Sequence, residues 1–135
     1  VMMHMQGDPD NMQDNPEYDN VVESIISFFE GKMNELESSG IQNIILDPGF
    51  GFGKTIEDNF KILKDLNLFQ SFKKPLLVGL SRKSMIYRPL NITAAEALNG
   101  TTALNTLAIE KGANILRVHD AKEASECIKL MENLN

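Results

Sequence analysis

The sequence has few of the residues that stabilise secreted or metal-bound domains. Of its 135 residues one is cysteine, Cys127, two are histidine and none is tryptophan. A single cysteine excludes an internal disulfide and a cysteine-based zinc centre, and two distant histidines do not supply the missing ligands. No metal site is therefore predicted within this chain, and a reducing, cytoplasmic setting is favoured.

Long apolar runs and a surplus of basic residues are also missing. No stretch approaches the ~18 consecutive apolar residues of a membrane span. Lys and Arg number 13 against 19 Asp and Glu, which gives a net charge of -6. This balance argues against a nucleic-acid or membrane partner, although it leaves room for a local cationic pocket. With 42% hydrophobic and 24% charged residues, the composition is that of a globular domain.

The chain shows a β-α pattern four times, with strands predicted to begin near residues 1, 42, 76 and 114. The first apolar run has no preceding turn or cap, so we interpret it as a strand whose upstream neighbours are absent. Alternation of this kind predicts parallel strands with right-handed crossovers. A doubly wound sheet and half of an eight-unit barrel both fit the pattern.

Capping residues predict where the helices begin and end. Asn15 followed by Pro16 predicts the start of the first helix, and Gly40 its end. Thr55 and Asp58 form a capping box ahead of a helix over residues 56–66.

The second half of the chain carries similar helix signals. Thr93 and Glu96 form another capping box, and Gly112 follows the end of that helical region. Asp120 is predicted to cap the last helix, with an inner face formed by three apolar residues. They are Cys127, Ile128 and Met131.

Polar residues follow every predicted strand. Parallel strands place their carboxyl ends at one edge, where both candidate folds bind ligands. Four strands ending in this way predict a site there, with two cationic clusters in an acidic protein. The residues are His4 and Gln6, then Asp47, then Ser81, Arg82 and Lys83, then Arg117, His119 and Asp120.

Two residues near the second strand allow alternative interpretations. Asp47 could accept two parallel N–H bonds from a planar heterocycle, or it could cap the glycine-rich loop that follows. Phe52, between two glycines, could form a wall for an aromatic substrate or pack internally, whereas Phe50 is predicted to be core. The loop fails as a phosphate-binding motif because Pro48 replaces a required glycine.

The other strand ends are cationic. The segment from Ser81 to Ser84 places two cations and two hydroxyls before a helix, which could bind an anion or form a solvated loop. Arg117 and His119 share one face of a strand and could form an anion site. For His4, a hydrogen-bonded core histidine is favoured over a catalytic role.

Taken together, four motifs resemble the last four strand-end motifs of the dihydropteroate synthases. They are His4-Met5-Gln6-Gly7, Asp47-Pro48-Gly49-Phe50-Gly51-Phe52-Gly53-Lys54, Gly79-Leu80-Ser81-Arg82-Lys83-Ser84 and Arg117-Val118-His119-Asp120. The resemblance covers the whole chain and shows no departure within the motifs. It implies an α/β fold, namely the C-terminal half of a (β/α)8 TIM barrel over residues 1–135, with the N-terminal strands absent.

The resemblance implies a transferase that joins 4-aminobenzoate to a dihydropterin pyrophosphate. By resemblance, Asp47 and Lys83 bind the pterin, and Arg117 lies along its face. Arg117 and His119 hold the departing pyrophosphate. The catalytic residues implied by the resemblance are Lys83, Arg117 and His119. Phe52 and Ser84 contact 4-aminobenzoate.

The family also implies features outside this chain. A Mg²⁺ ligand is expected in the missing N-terminal part, so the chain alone is expected to be inactive. Small-molecule substrates, sulfonamide inhibitors and a homodimer are the implied partners. Two other readings are a non-catalytic half-barrel module that binds pterin or self-associates, and a pterin-dependent methyltransferase domain. The second is disfavoured by the motifs around Lys83 and Arg117.

Overall fold

The computed structural model describes residues 1–7 and 16–134, in which helices alternate with short parallel strands. The strands are β1 (Met2–Met3), β2 (Leu46–Asp47), β3 (Leu77–Val78) and β4 (Ile115–Leu116). The helices are α1 (Val21–Ser38), α2 (Ile56–Lys64), α3 (Ser84–Tyr87), α4 (Leu98–Glu110) and α5 (Ala121–Glu132). Short 3-10 helices cover Leu66–Phe72 and Ala94–Glu96. The predicted alternation is confirmed, and none of the described helices is long and apolar enough to cross a membrane.

Each strand lies beside the next one along the chain. β1 pairs in parallel with β2, and β3 pairs in parallel with β4. Between these pairs, the Leu46 amide donates to the Pro75 carbonyl at 2.9 Å, and Leu46 forms a parallel bridge with Leu76. All four carboxyl ends therefore meet at one edge, as expected for parallel strands.

The core lies between these strands and the helices that follow them. In α1 the apolar residues recur at helical spacing, and the buried ones are Val21, Val22, Ile25 and Phe29. The Phe29 ring lies 5.8 Å, between centroids, from both Phe69 and Phe72. Edge-to-face contacts of this kind add to the stabilisation from area burial, and they hold α1 against the segment after α2.

The first helix starts later than predicted. It begins at Val21, and Asn20 is its N-cap, with Oδ1 accepting from the amides of Val22 and Glu23. Pro16 is not helical, and Asn15 lies outside the described residues. Helical apolar spacing starts only at Val21, so burial and the Asn20 cap decide the helix start.

Most of the other predicted helix ends are confirmed. Thr55 and Asp58 form the capping box of α2, and Gly40 follows α1 with φ +85°. Thr93 and Glu96 also form a capping box, but it opens the short 3-10 helix Ala94–Glu96 rather than α4. Gly112 follows α4 with φ +98°.

Two predictions about α5 are wrong. Asp120 occupies the N-cap position, but its side chain makes no capping hydrogen bond because it pairs with Arg82. Ile128 is 39% exposed, whereas Cys127 and Met131 are buried. The Thr106 hydroxyl lies 3.6 Å from the Cys127 sulfur, so that Cys127 packs between α4 and α5.

The loop after β2 passes very close to the end of β1. Gly49 has φ +72°, and a Cβ atom placed there would lie 1.9 Å from the His4 carbonyl oxygen. Neither the backbone conformation nor the space suits a side chain. Glycine at this position therefore lets the two strand ends approach each other.

The glycine requirement can be tested with two matched variants. We expect Gly49→Ala to lower the free energy of unfolding by at least about 2 kcal/mol, since it combines a positive φ with a backbone clash. Gly31→Ala is the control, because Gly31 is exposed in α1 with nothing within 4 Å of the added Cβ. There alanine should stabilise by about 0.5–1 kcal/mol. Equal unfolding midpoints in urea for the two variants would contradict this account.

Candidate active site at the carboxyl ends of the strands

A buried carboxylate lies at the centre of the strand-end edge. Asp47 ends β2, is 7% exposed, and its Oδ1 accepts a hydrogen bond from the Gly49 amide at 2.8 Å. Burial raises the pKa of Asp47, while the Gly49 amide and then the positive charges of Lys83, Lys54 and Arg117 oppose this change. Asp47 thus caps its loop with one oxygen and has three cations around it.

Lys54 is the most buried cation of the site, with 4% of its surface exposed. Its ammonium donates to three carbonyl oxygens: His4 at 3.2 Å, Gly49 at 2.9 Å and Phe52 at 2.8 Å. An ammonium has three N–H donors, so each one is used. Burial lowers the pKa of Lys54 to about 8, an effect that the nearby Asp47 charge opposes.

Sequence reasoning missed the role of Lys54, which was named only as the last residue of the glycine-rich motif after the second strand. The glycine-rich loop was the available signal, because its turns leave several carbonyls without partners in regular structure. A cation within the same segment is a suitable donor to them. The spacing of residues in the sequence does not show that the His4 carbonyl also accepts a hydrogen bond from Lys54.

Two further side chains hold the same loop. Asn59 in α2 accepts a hydrogen bond from the Gly51 amide at 2.7 Å and donates to the Thr55 carbonyl at 2.6 Å. The Tyr18 hydroxyl donates to the Gly53 carbonyl at 2.9 Å. The loop backbone is therefore fixed from α2, from the segment before α1 and from Lys54.

Lys83 and Phe52 meet beside Asp47. The Lys83 ammonium lies 4.7 Å from the centroid of the half-buried Phe52 ring and donates to the Phe50 carbonyl. Burial lowers the pKa of Lys83 to about 8, opposed by Asp47 and reinforced by Arg117. Phe50 itself is 1% exposed, which confirms its predicted core position.

Arg117 and His119 lie at the end of β4, next to Lys83. A cavity of about 260 Å³ opens here, and six residues line it: Gly79, Ser81, Lys83, Arg117, Val118 and His119. Arg117 and His119 are both exposed. The structure thus brings Asp47, Phe52, Lys83, Arg117 and His119 to one edge, where an acid, an aromatic wall and cations could hold an anionic heterocycle.

Arg82 and Ser84, which the sequence places at the same strand end as Lys83, do not line this cavity. Arg82 adopts φ +54° and binds Asp120 through Nε at 2.8 Å and Nη2 at 2.9 Å. It is therefore a structural contact between the loop after β3 and α5. Ser84 lines a neighbouring cavity of about 800 Å³, together with Lys54 and Tyr87, rather than the one beside His119.

His4 is buried and packs against an aromatic side chain of α1. It is 6% exposed, and its ring lies 5.2 Å from Phe28 in an edge-on arrangement. Nδ1 has no hydrogen-bond partner among residues 1–7 and 16–134. Burial, and to a lesser degree the Lys54 charge, lowers the pKa of His4 to about 4. The predicted core position is confirmed, while the predicted hydrogen bond is not seen at Nδ1.

The model of the family described as "Pterin binding enzyme" matches residues 1–119. The dihydropteroate synthase of Escherichia coli K12 is 44% identical over 97% of this chain and 47% of its own length. A Yersinia pestis dihydropteroate synthase solved with a sulfonamide drug superimposes with TM-score 0.94 and 42% identity, over 98% of this chain and 49% of that one. A Thermus thermophilus dihydropteroate synthase in complex with 4-aminobenzoate gives 0.92 and 36%, over 98% and 55%. The chain spans about half the length of the relatives it matches.

Removal of the Lys54 ammonium should destabilise the protein. In Lys54→Met the three carbonyls lose their donor while the packing volume is largely kept, so we expect a loss of about 2–4 kcal/mol in the free energy of unfolding. Lys61→Met is the control, since Lys61 is exposed on α2 and surface changes stay within about 0.5 kcal/mol. Chemical denaturation measures both. An unchanged unfolding midpoint in Lys54→Met would contradict the role of the ammonium.

The lowered pKa of His4 predicts a pH dependence of stability. Between pH 6.5 and about 4 the unfolded chain binds a proton at His4 that the folded protein does not. Stability therefore falls as the pH falls through this window. His4→Phe keeps an aromatic ring and removes the titration, so the difference between wild type and variant should change across the window. A difference in unfolding free energy that is constant from pH 7 to 4 would rule out the lowered pKa.

Proposed function

The chain belongs to the pterin binding enzyme family, and we propose that the protein containing it is a dihydropteroate synthase. The reaction joins 6-hydroxymethyl-7,8-dihydropterin pyrophosphate to 4-aminobenzoate and yields 7,8-dihydropteroate and pyrophosphate. One observation carries this proposal beyond the likeness to relatives. Asp47, Lys83, Arg117 and Phe52 come from three separate strand ends and converge on one edge.

The fold proposed for the whole protein is a (β/α)8 TIM barrel whose C-terminal half is residues 1–135. Sequential pairing from β1 to β4 supports it, because a doubly wound sheet reverses its strand order at the switch point. The relatives' additional length would supply the remaining units. Under this proposal the substrate pocket is completed by that missing half.

The residues fit the parts of the substrates by charge and shape. The Asp47 carboxylate accepts N–H bonds from the pyrimidine edge of the pterin, and Lys83 reaches the same ring from another side. Arg117 lies along the pterin face and, with His119, holds the pyrophosphate. Phe52 packs on the ring of 4-aminobenzoate. Ser84, which lines the neighbouring cavity, binds the carboxylate of 4-aminobenzoate. Sulfonamides would occupy the position of 4-aminobenzoate.

In the proposed reaction the bond between the pterin methylene carbon and the pyrophosphate oxygen breaks, and the oxygen keeps the electron pair. Positive charge develops on the methylene carbon, and the amine of 4-aminobenzoate attacks it. The amine then loses a proton to solvent or to the departing pyrophosphate. Arg117 and His119 stabilise the leaving anion while Lys83 holds the pterin ring, so that the enzyme acts by positioning and charge stabilisation.

Other parts of the proposal concern the full protein. By the family resemblance, we propose that the magnesium ligand lies in the N-terminal half that the relatives' additional length would supply. The protein is proposed to work as a homodimer in the cytoplasm, with Cys127 as a buried free thiol.

A non-catalytic half-barrel module is the second candidate, supported by the proximity of Asp47, Lys83 and Arg117 within this chain alone. The intact mass of the protein in its source separates the two. A mass about twice 15.1 kDa identifies the synthase, and a mass near 15.1 kDa identifies the module.

Ligand titration of variants tests the proposed synthase site in the full-length protein. Arg117→Ala should weaken pterin pyrophosphate binding about ten- to hundredfold, since a hydrogen bond to a charged group contributes about 1.5–3 kcal/mol. His119→Ala should weaken the pyrophosphate ligand and leave bare pterin almost unchanged. Asp47→Asn should weaken both, because an amide cannot accept two parallel N–H bonds.

Lys122→Ala is the control for these titrations, since the Lys122 side chain is 82% exposed on α5. Calorimetry with pterin and with pterin pyrophosphate measures each variant. Unchanged pterin binding in Asp47→Asn would refute the heterocycle assignment, and equal losses for both ligands in His119→Ala would refute the anion assignment.

A further inference from the structure

A serine lies against the ring of His119 at the mouth of the cavity. Ser81 follows β3, is 3% exposed, and its Oγ lies 2.9 Å from Nδ1 of His119. The backbone amide of His119 donates to the same Oγ at 3.2 Å. Ser81 thus contacts both the backbone and the ring of a residue that is 38 positions away in the sequence.

These two contacts fix the direction of the hydrogen bond to the ring. The backbone amide can only donate, so it uses one lone pair of Oγ. If Nδ1 also carried a proton, Oγ would accept twice, and the buried hydroxyl proton would have no acceptor among residues 1–7 and 16–134. An unpaired buried donor costs about 1–3 kcal/mol. The hydroxyl therefore donates to Nδ1, and in neutral His119 the proton sits on Nε2.

We infer that Ser81 is a positioning residue that presents His119 to the ligand as an Nε2–H donor. Nδ1 is occupied by Ser81, while Nε2 has no hydrogen-bond partner among the described residues, and Arg117 and Lys83 line the same cavity. A neutral N–H beside two cations suits an anionic oxygen, because it donates without adding a third full charge. The identity of the anion as a pyrophosphate oxygen rests on the proposed function, whereas the assignment of the tautomer does not.

The tautomer itself can be read by ¹⁵N NMR of the imidazole in the full-length protein in alkaline buffer. The His119 resonances are assigned by their loss in His119→Gln. We expect Nε2 to show the shift of a protonated nitrogen, and Nδ1 that of a bare acceptor. In Ser81→Ala the two shifts should move towards each other as the tautomers mix. A protonated Nδ1 in wild type, or an unchanged spectrum in Ser81→Ala, overturns the inference.

Binding gives a second, independent measurement. Ser81→Ala should weaken pterin pyrophosphate about fivefold, the equivalent of one neutral hydrogen bond, and leave bare pterin within error. Ser81→Thr keeps the hydroxyl and should restore the wild-type spectrum and affinity. Ser71→Ala, which removes an exposed hydroxyl that does not line the cavity, should change neither.

Equal losses for both ligands in Ser81→Ala would mean that Ser81 only supports the fold, and the inference would fail. If wild type binds neither ligand, the proposed function fails, whereas the NMR spectrum still decides whether Ser81 sets the tautomer. The two failures are therefore distinguishable.

Discussion

The arrangement of the strand-end edge depends on one buried ammonium group. Lys54 donates to the carbonyls of His4, Gly49 and Phe52, and so joins the end of β1 to the loop that follows β2. Without a cation at this point, carbonyl dipoles from two segments would face one another in a region with little water. The close approach at Gly49 and the position of the Phe52 ring both depend on this contact.

The electrostatics of the edge differ from those of the whole molecule. The chain carries a net charge of -6, yet Lys54, Lys83 and Arg117 surround the carboxylate of Asp47. The pKa of each of the two lysines is lowered to about 8 by burial, so both are still mainly protonated near neutral pH. The edge is therefore locally cationic, which suits a ligand with a polyanionic leaving group and a heterocycle that donates to one acid.

Backbone conformation separates the roles of two adjacent cations. Arg82 has φ +54° and turns outwards to the Asp120 carboxylate, whereas Lys83 reaches inwards to the Phe50 carbonyl. The bidentate pair between Arg82 and Asp120 connects the loop after β3 to the start of α5. Since β4 and the following His119 lie just before Asp120, the same pair helps to hold the cavity wall.

Local sequence signals are enough to predict the alternation of strands and helices, the capping boxes at Thr55 and Thr93, and the edge at which the polar residues meet. These features follow from local periodicity and from the geometry of parallel strands, which any chain with this pattern must obey. The start of the first helix is not set locally, since Asn15–Pro16 and Asn20 offer similar caps and burial selects the second.

Packing between distant segments determines which side chains face the cavity and which contacts hold them there. The Lys54 contact to His4 spans 50 residues, and the contact between Ser81 and His119 spans 38. No local pattern encodes either one, because the partners are brought together by strand pairing and by loops whose φ angles are set at Gly49 and Arg82. The direction of a polar side chain depends on the nearest unsatisfied donor or acceptor, and that is fixed only when distant segments pack.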